Sequence, residues 1–196
     1  MVSSTIPIVL ASRSLRRMEI LRREGVAFQS VEAAMDDPAT PPQGDPQKIA
    51  IEMATAKARC VAANHPALCE NAFVLAADTI CHSQGECVGK AETPDEARRI
   101  LMQMMDGHHT VVTGVALIRR GVLRTWADHA TVRLEPVDEK SLSEYVKSEI
   151  WFGKAGGYDL EERRRAGWIV HCDGDPDTVG GLSWKHVKTA MAEWPH

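Results

Sequence analysis

The feature that most constrains the fold is the opening segment, in which a short apolar run leads directly into an amphipathic helix. The run IPIVLA at 6–11 predicts a buried strand. The segment SLRRMEILRREG at 14–25 predicts a helix with apolar residues on one face and a stop at Gly25. Strand, tight turn and helix therefore form the first structural unit of the chain.

Strands and helices continue to alternate along the rest of the sequence, which indicates an α/β protein. A strand is predicted at 26–33, a Pro-rich loop follows, and a helix over 46–64 carries an apolar stripe at Ile49, Met53, Ala56 and Cys60 with Lys57 on its margin. Further predicted elements are a central strand from 72 that ends at Asp78, a hairpin turned at Gln84-Gly85, a capped helix at 93–107, strands at 109–119 and 122–135 joined at Arg120-Gly121, a helix at 138–149 and a closing helix from Ser183.

Length and composition restrict the class of protein. The 196 residues are enough for one domain over 1–196, and 44% hydrophobic with 26% charged residues is typical of a soluble globular chain. A net charge of −4 disfavours a nucleic-acid polymer as the main ligand. No apolar run is long enough to span a bilayer, so we expect no membrane partner and a cytoplasmic location. The five cysteines are scattered without a C-x-x-C motif, which predicts reduced thiols.

The junction between the first strand and helix has the chemistry of an anion site. Ser12, Arg16 and Arg17 lie beside the free N–H groups of a helix N-terminus, where hydroxyl and guanidinium donors favour a phosphate. The same stretch is also compatible with serines that cap the helix and arginines on a solvated face. It therefore does not establish an anion site by itself.

Acidic and basic residues elsewhere extend this pattern. Asp78 follows an apolar run, where a carboxylate is costly unless it is hydrogen-bonded, metal-bound or catalytic. Asp36 and Asp37 in the Pro-rich loop are hard oxygen ligands of the type that suits Mg²⁺ or Mn²⁺ bound with substrate phosphates. Lysines at 57, 90 and 154 stand beside glycines or at the edge of an apolar stripe. No G-x-S-x-G, Walker A, G-x-G-x-x-G or H-E-x-x-H motif is present, which weakens the corresponding enzyme classes.

Taken in order, the motifs LASRSLRR, AKA, AADT, GKAETPDEA, HHTVVTGVAL and GKAGGYDLEE…DGDPDTVGGL resemble the Maf family of nucleoside triphosphate pyrophosphatases, from about Ile8 to Leu182. The resemblance implies an α/β fold related to the inosine triphosphate pyrophosphatases, with a mixed central sheet flanked by helices and two lobes around a cleft. It also implies metal-dependent hydrolysis of a nucleoside triphosphate to the monophosphate and pyrophosphate, with Mg²⁺ or Mn²⁺. A homodimer and an association with septum formation are further implications.

The same resemblance assigns roles to residues of this sequence. It implies that Asp78 is the proton acceptor, and that Asp36 and Asp78 hold the metal. The implied phosphate-binding residues are Ser12, Arg17, Lys57 and Lys90, and the implied specificity residues are Arg16, Thr79 and Glu161. The chain departs from the family pattern at Leu15, where a proline is usual, at Asp36, where glutamate is common, and at Ser183 in place of a proline.

The specificity residues disagree about the base. Arg16 and Thr79 match the pyrimidine-selective branch, which has glutamine where Glu161 falls, whereas the branch acting on 7-methylated guanine nucleotides has glutamate there. An amide both donates and accepts hydrogen bonds, but an ionised carboxylate only accepts. Two of the three specificity residues, Arg16 and Thr79, therefore favour UTP and dTTP. The extra residues in EERRRAG leave the alignment open between Glu161 and Glu162.

Two other functions stay open from the sequence. The chain could be a nucleotide-binding regulator of cell division without turnover, or its motif residues could be purely structural. A binder without turnover need not retain Asp78, Lys57 and Lys90 together, as this chain does. The sequence leaves open whether the cellular role is nucleotide clearance or control of division.

Overall fold

A computed structural model describes residues 6–35 and 42–195. Its strands are β1 Ile8–Leu10, β2 Phe28–Ser30, β3 Phe73–Ser83, β4 Glu86–Val88, β5 His108–Arg119, β6 Val122–Leu134 and β7 Val170–Asp173. Its helices are α1 Leu15–Arg23, α2 Pro46–Asn64, α3 Pro66–Cys69, α4 Pro94–Met105, α5 Glu139–Lys147, α6 Leu160–Arg165, α7 Pro176–Val179 and α8 Trp184–Ala192.

The strands form one mixed sheet in the order β2-β1-β3-β5-β6-β7, with β4 paired to β3. Strand β1 runs parallel to both β2 and β3, while β3, β5, β6 and β7 pair antiparallel. Helices pack on this sheet, so the predicted α/β class with a mixed central sheet flanked by helices is confirmed. None of the described helices is long and apolar enough to cross a membrane.

Helices α1 and α2 cover opposite faces of β1. Side chains of α1 pack with Ile8 and Leu10, and side chains of α2 pack with Val9 and Ala11. The chain therefore leaves β1 over one face to reach β2, and returns over the other face to reach β3. In an open α/β sheet, such a reversal creates a crevice at the carboxyl end of the strands, here between β1 and β3.

The contact between α2 and the sheet is unusually close. A Cβ atom on Gly114 of β5 would lie 2.2 Å from the carbonyl carbon of Ala50 in α2, so only glycine fits there. Gly114 is also the residue paired with Asp78 in the ladder between β3 and β5. The glycine thus lets α2 lie directly over the part of β3 that carries Asp78.

This close packing makes the predicted apolar stripe of α2 wrong. The helix buries Ala50, Ala54, Ala58 and Val61, whereas the residues at 49, 53, 56 and 60 are only partly buried. Small side chains face the sheet because the helix approaches it closely, and the larger apolar residues are displaced to the flanks. Sequence periodicity located the helix but selected a neighbouring face.

Two strand predictions also need correction. Strand β3 does not end at Asp78 but continues to Ser83, because β5 pairs with it through His82 and β4 pairs with its last three residues. The second strand is only Phe28–Ser30, shorter than 26–33. The helices predicted at 46–64, 93–107 and 138–149, the closing helix and both hairpin turns are confirmed, whereas β7 and the short helices α3, α6 and α7 were not predicted.

Candidate functional site

Polar residues gather at the carboxyl end of β1, where the chain turns into α1. The α1 N-cap is Ser14, whose hydroxyl accepts from the backbone N–H of Arg17. The Ser12 hydroxyl accepts from the Ser14 N–H at 3.1 Å and from Arg17 Nη1 at 3.1 Å. These two bonds occupy both lone pairs of the Ser12 hydroxyl oxygen. The hydroxyl proton is not donated to any group in the described part of the chain. Ser12 can therefore donate a hydrogen bond to a ligand.

Arg17 is buried, with 8% of its surface exposed. Its Nε donates to the Gly181 carbonyl at 2.9 Å, and its Nη2 donates to Thr79 Oγ1 at 3.0 Å. Together with the bond to Ser12, these contacts connect α1, β3 and the turn after α7. The guanidinium is thus held in one orientation, and its positive charge lies next to the crevice between β1 and β3.

Lys57 and Asp78 form a close ion pair between α2 and β3. Lys57 Nζ lies 2.6 Å from Asp78 Oδ1, and the two side chains are only 15% and 17% exposed. Successive residues of a strand face opposite sides of a sheet. Asp78 therefore lies on the α2 face with Lys57, while Thr79 lies on the α1 face with Arg17.

Asp78 and Thr79 lie on a segment of β3 that has no described neighbouring strand on the side of β1 and β4. The ladder with β1 stops at Leu75, and the ladder with β4 starts at Cys81. Among the described elements, no strand pairs with 76–80 on this edge. Asp78 and Thr79 therefore border the crevice from opposite faces of one exposed strand segment.

Lys90 lies on the loop that follows β4, and its side chain is exposed. Its backbone forms an isolated antiparallel bridge with Ala155, and the Gly156 N–H donates to the Gly89 carbonyl at 3.3 Å. The two G-K-A segments of the sequence, around Lys90 and Lys154, are thus brought side by side. The sequence contained both motifs but did not indicate that they pair.

The structure distinguishes Glu161 from Glu162. Glu161 lines one groove together with Arg16, and its carboxylate lies 3.3 Å from Arg164 Nη1. Glu162 is bound by Lys154 at 2.5 Å and by Arg163 at 2.7 Å. Burial opposes ionisation of Glu162, but these two cationic donors outweigh it and lower its pKa. Glu161 is therefore the glutamate that shares a groove with Arg16.

Arg16 is held more loosely than Arg17. Its Nε lies 3.7 Å from Asp159 Oδ2, and its Nη1 lies 3.5 Å from Glu19 Oε2. Only 22% of the Arg16 side chain is exposed. These long contacts restrain the Arg16 guanidinium less than the three hydrogen bonds restrain that of Arg17.

The structure thus brings Ser12, Arg17 and Thr79 into one hydrogen-bonded group, and Lys57 and Asp78 into one pair. Asp36 and Asp37 lie outside the described residues. Within the ranges that are described, no three His, Cys, Asp or Glu side chains cluster to hold a metal.

Two residues of this group were not predicted from the sequence. They are Thr113, which contacts Thr79, and Gly181, which contacts Arg17. The signals available were the T-G dipeptide within a buried strand and the Gly-Gly pair near the C-terminus.

The sequence is similar to that of known proteins over most of its length. The model of the Maf family, described as Maf-like protein, matches residues 7–194. A dTTP/UTP pyrophosphatase of Halalkalibacterium halodurans is 37% identical over 185 residues, which are 94% of each chain. A dTTP/UTP pyrophosphatase of Salinibacter ruber is 34% identical over 183 residues, which are 92% of this chain and 87% of that protein.

A solved structure of a nucleoside-triphosphatase or dITP/XTP pyrophosphatase from Mycobacterium abscessus aligns over 95% of this chain and 93% of that chain. Its sequence identity is 16% and its TM-score is 0.42.

Proposed function

The chain belongs to the Maf family, and from this premise we propose that it hydrolyses a nucleoside triphosphate at the α–β phosphoanhydride, releasing the nucleoside monophosphate and pyrophosphate. The observation that carries the proposal is the Lys57–Asp78 ion pair, which borders the crevice between β1 and β3. The Ser12 hydroxyl lies at the end of the same crevice, where the helix α1 begins.

The side chains suit the charges of this reaction. Attack of water on the α-phosphorus needs a proton acceptor, and the Asp78 carboxylate is the group proposed for it. The departing pyrophosphate gains negative charge, which Lys57, Lys90 and Arg17 would neutralise. The Ser12 hydroxyl and the free N–H groups at the start of α1 would bind phosphate oxygens.

A divalent cation fits the donors of this site. Mg²⁺ is commonly held by one or two carboxylates together with substrate phosphates, and does not need a complete protein cage. Asp78 offers one such carboxylate beside the crevice, and Asp36 is proposed as the second ligand. When bound, Mg²⁺ or Mn²⁺ would supply positive charge to the phosphate oxygens.

The proposed substrates are dTTP and UTP. The two curated relatives described above are named dTTP/UTP pyrophosphatases, and both cover most of this chain. Arg16 and Thr79 agree with that preference, whereas Glu161 stands where the pyrimidine-selective branch has glutamine. The homodimer implied by the resemblance stays a prediction that sedimentation can test.

The test is to measure pyrophosphate and orthophosphate release from a panel of nucleoside triphosphates with Mg²⁺, with Mn²⁺ and with a chelator. We expect metal-dependent release of pyrophosphate, fastest with dTTP or UTP, and its loss in Asp78→Asn. Asp95→Asn, at an exposed carboxylate in the first turn of α4, is the control and should match the wild type.

Two outcomes would contradict the proposal. One is full activity of Asp78→Asn. The other is a wild type that binds nucleotides in a calorimeter but releases no pyrophosphate from any of them, which would favour a regulator without turnover.

A further inference from the structure

Thr113 is a polar side chain in the middle of the buried strand β5. It is 0% exposed, and in the sheet it lies between Thr79 on β3 and Asp128 on β6. Its Oγ1 lies 2.9 Å from Thr79 Oγ1 and 2.8 Å from the carbonyl oxygen of Thr178. A buried hydroxyl is costly unless it is hydrogen-bonded, and this one is satisfied on both sides.

The directions of these hydrogen bonds follow from the number of protons. Thr113 has one hydroxyl proton, and the Thr178 carbonyl can only accept, so Thr113 donates to it. Thr113 must then accept the proton of Thr79. Arg17 Nη2 donates to the Thr79 oxygen from the other side. The single proton of the Thr79 hydroxyl is therefore donated to Thr113. One lone pair of the Thr79 oxygen remains, and it can only accept a hydrogen bond.

The same contacts hold the turn that follows α7. Thr113 binds the Thr178 carbonyl, and Arg17 binds the Gly181 carbonyl. A Cβ atom on Gly181 would lie 3.1 Å from both Arg17 Nε and Thr79 Oγ1. The turn is thus packed directly against the half-buried Thr79 hydroxyl, which limits the orientations that this hydroxyl can take.

We propose that Thr113 is a positioning residue for base selection, because it makes the Thr79 hydroxyl an obligatory hydrogen-bond acceptor toward the substrate. This inference rests on the proposed pyrophosphatase function. Uracil and thymine present an N–H donor at ring position 3, whereas cytosine presents an acceptor nitrogen there. Two acceptors facing each other leave both unsatisfied, so the arrangement would favour UTP and dTTP over CTP.

The experiment compares Thr113→Val with Thr113→Ser. Valine matches the shape of threonine but cannot accept the Thr79 proton, so the Thr79 hydroxyl becomes free to donate. Serine keeps the hydroxyl. We expect Thr113→Val to lower the ratio of kcat/KM for UTP to kcat/KM for CTP by about tenfold, the scale of one hydrogen bond, and Thr113→Ser to stay within about twofold of wild type. A general loss of packing would lower both rates and leave their ratio unchanged.

An unchanged ratio in Thr113→Val would overturn the inference, as would an equal loss in Thr113→Ser. If Thr113→Val does not fold, Thr113→Cys takes its place, because a thiol is a weak acceptor. A wild-type ratio in Thr113→Cys would then overturn the inference. A wild type that releases no pyrophosphate from any nucleotide overturns the proposed function itself, so the two failures are distinguishable.

Discussion

Lys57 Nζ on α2 lies 2.6 Å from Asp78 Oδ1 on β3, although the two residues are 21 positions apart in the sequence. The contact depends on how closely α2 approaches the sheet. The distance between α2 and β5 is set by Gly114, which pairs with Asp78 in the ladder and leaves room for the backbone of Ala50. The proposed catalytic pair and the packing of α2 are therefore one structural unit.

Replacing Lys57 by methionine should lower pyrophosphate release by about 100-fold or more, because one of the charges that would stabilise the leaving group is removed. Arg59→Met, on an exposed position of the same helix, should leave the rate within about twofold. Steady-state kinetics with UTP and Mg²⁺ measures both. Similar rates for the two variants would show that Lys57 does not act in the reaction.

Arg17 and Arg16 should respond differently to alanine. Arg17→Ala removes a buried cation with three described hydrogen bonds and should lower the free energy of unfolding by about 2–4 kcal/mol. Turnover should fall for every nucleotide. Arg16→Ala loses two long ion pairs among the described residues, so its stability should change by less than about 1 kcal/mol, while the ranking of nucleotides changes. Chemical denaturation and a nucleotide panel measure the two effects, and equal effects would contradict this division of roles.

His109 should make stability depend on pH. Burial lowers the pKa of His109 to about 4, from 6.5 in an unfolded chain, and its Nε2 lies 2.6 Å from the Tyr158 hydroxyl. Below pH 6.5 the unfolded chain binds a proton that the folded protein does not, so the contribution to stability is present above pH 6.5 and is lost as pH falls to about 4. The loss should reach about 3 kcal/mol. In His109→Gln, this part of the pH dependence should be absent when urea denaturation is repeated between pH 4 and 7. An identical slope in both proteins would show that His109 does not carry it.

Gly114→Ala should separate α2 from the sheet. The new methyl group would overlap the Ala50 backbone, which cannot move aside as a side chain can, so we expect a loss of about 3 kcal/mol or more in stability and little residual activity. Gly25→Asn is the matched control, because Gly25 has open space around it and a φ of +69° that asparagine tolerates. Thermal denaturation measures both variants. A Gly114→Ala protein as stable as Gly25→Asn would contradict the close approach of α2.

Much of the local structure could be predicted because it depends on neighbouring residues. The caps and stops of α4 and the glycine turns of the hairpins are signals within a few positions of one another. Short elements such as α7 and β7 were missed because four residues carry too little periodicity to identify them. The face of α2 was assigned wrongly because its burial depends on the space above Gly114, which lies on another element.

The sequence by itself determined the α/β class, the opening strand and helix, and the set of polar residues that the motifs supply. Only the tertiary structure decided how those residues pair. Arg17 contacts Gly181 across 164 positions and Thr79 across 62, and Thr113 connects Thr79 to the turn after α7. Such contacts follow from the order and register of strands, which are set by the packing of the whole sheet and not by any local pattern.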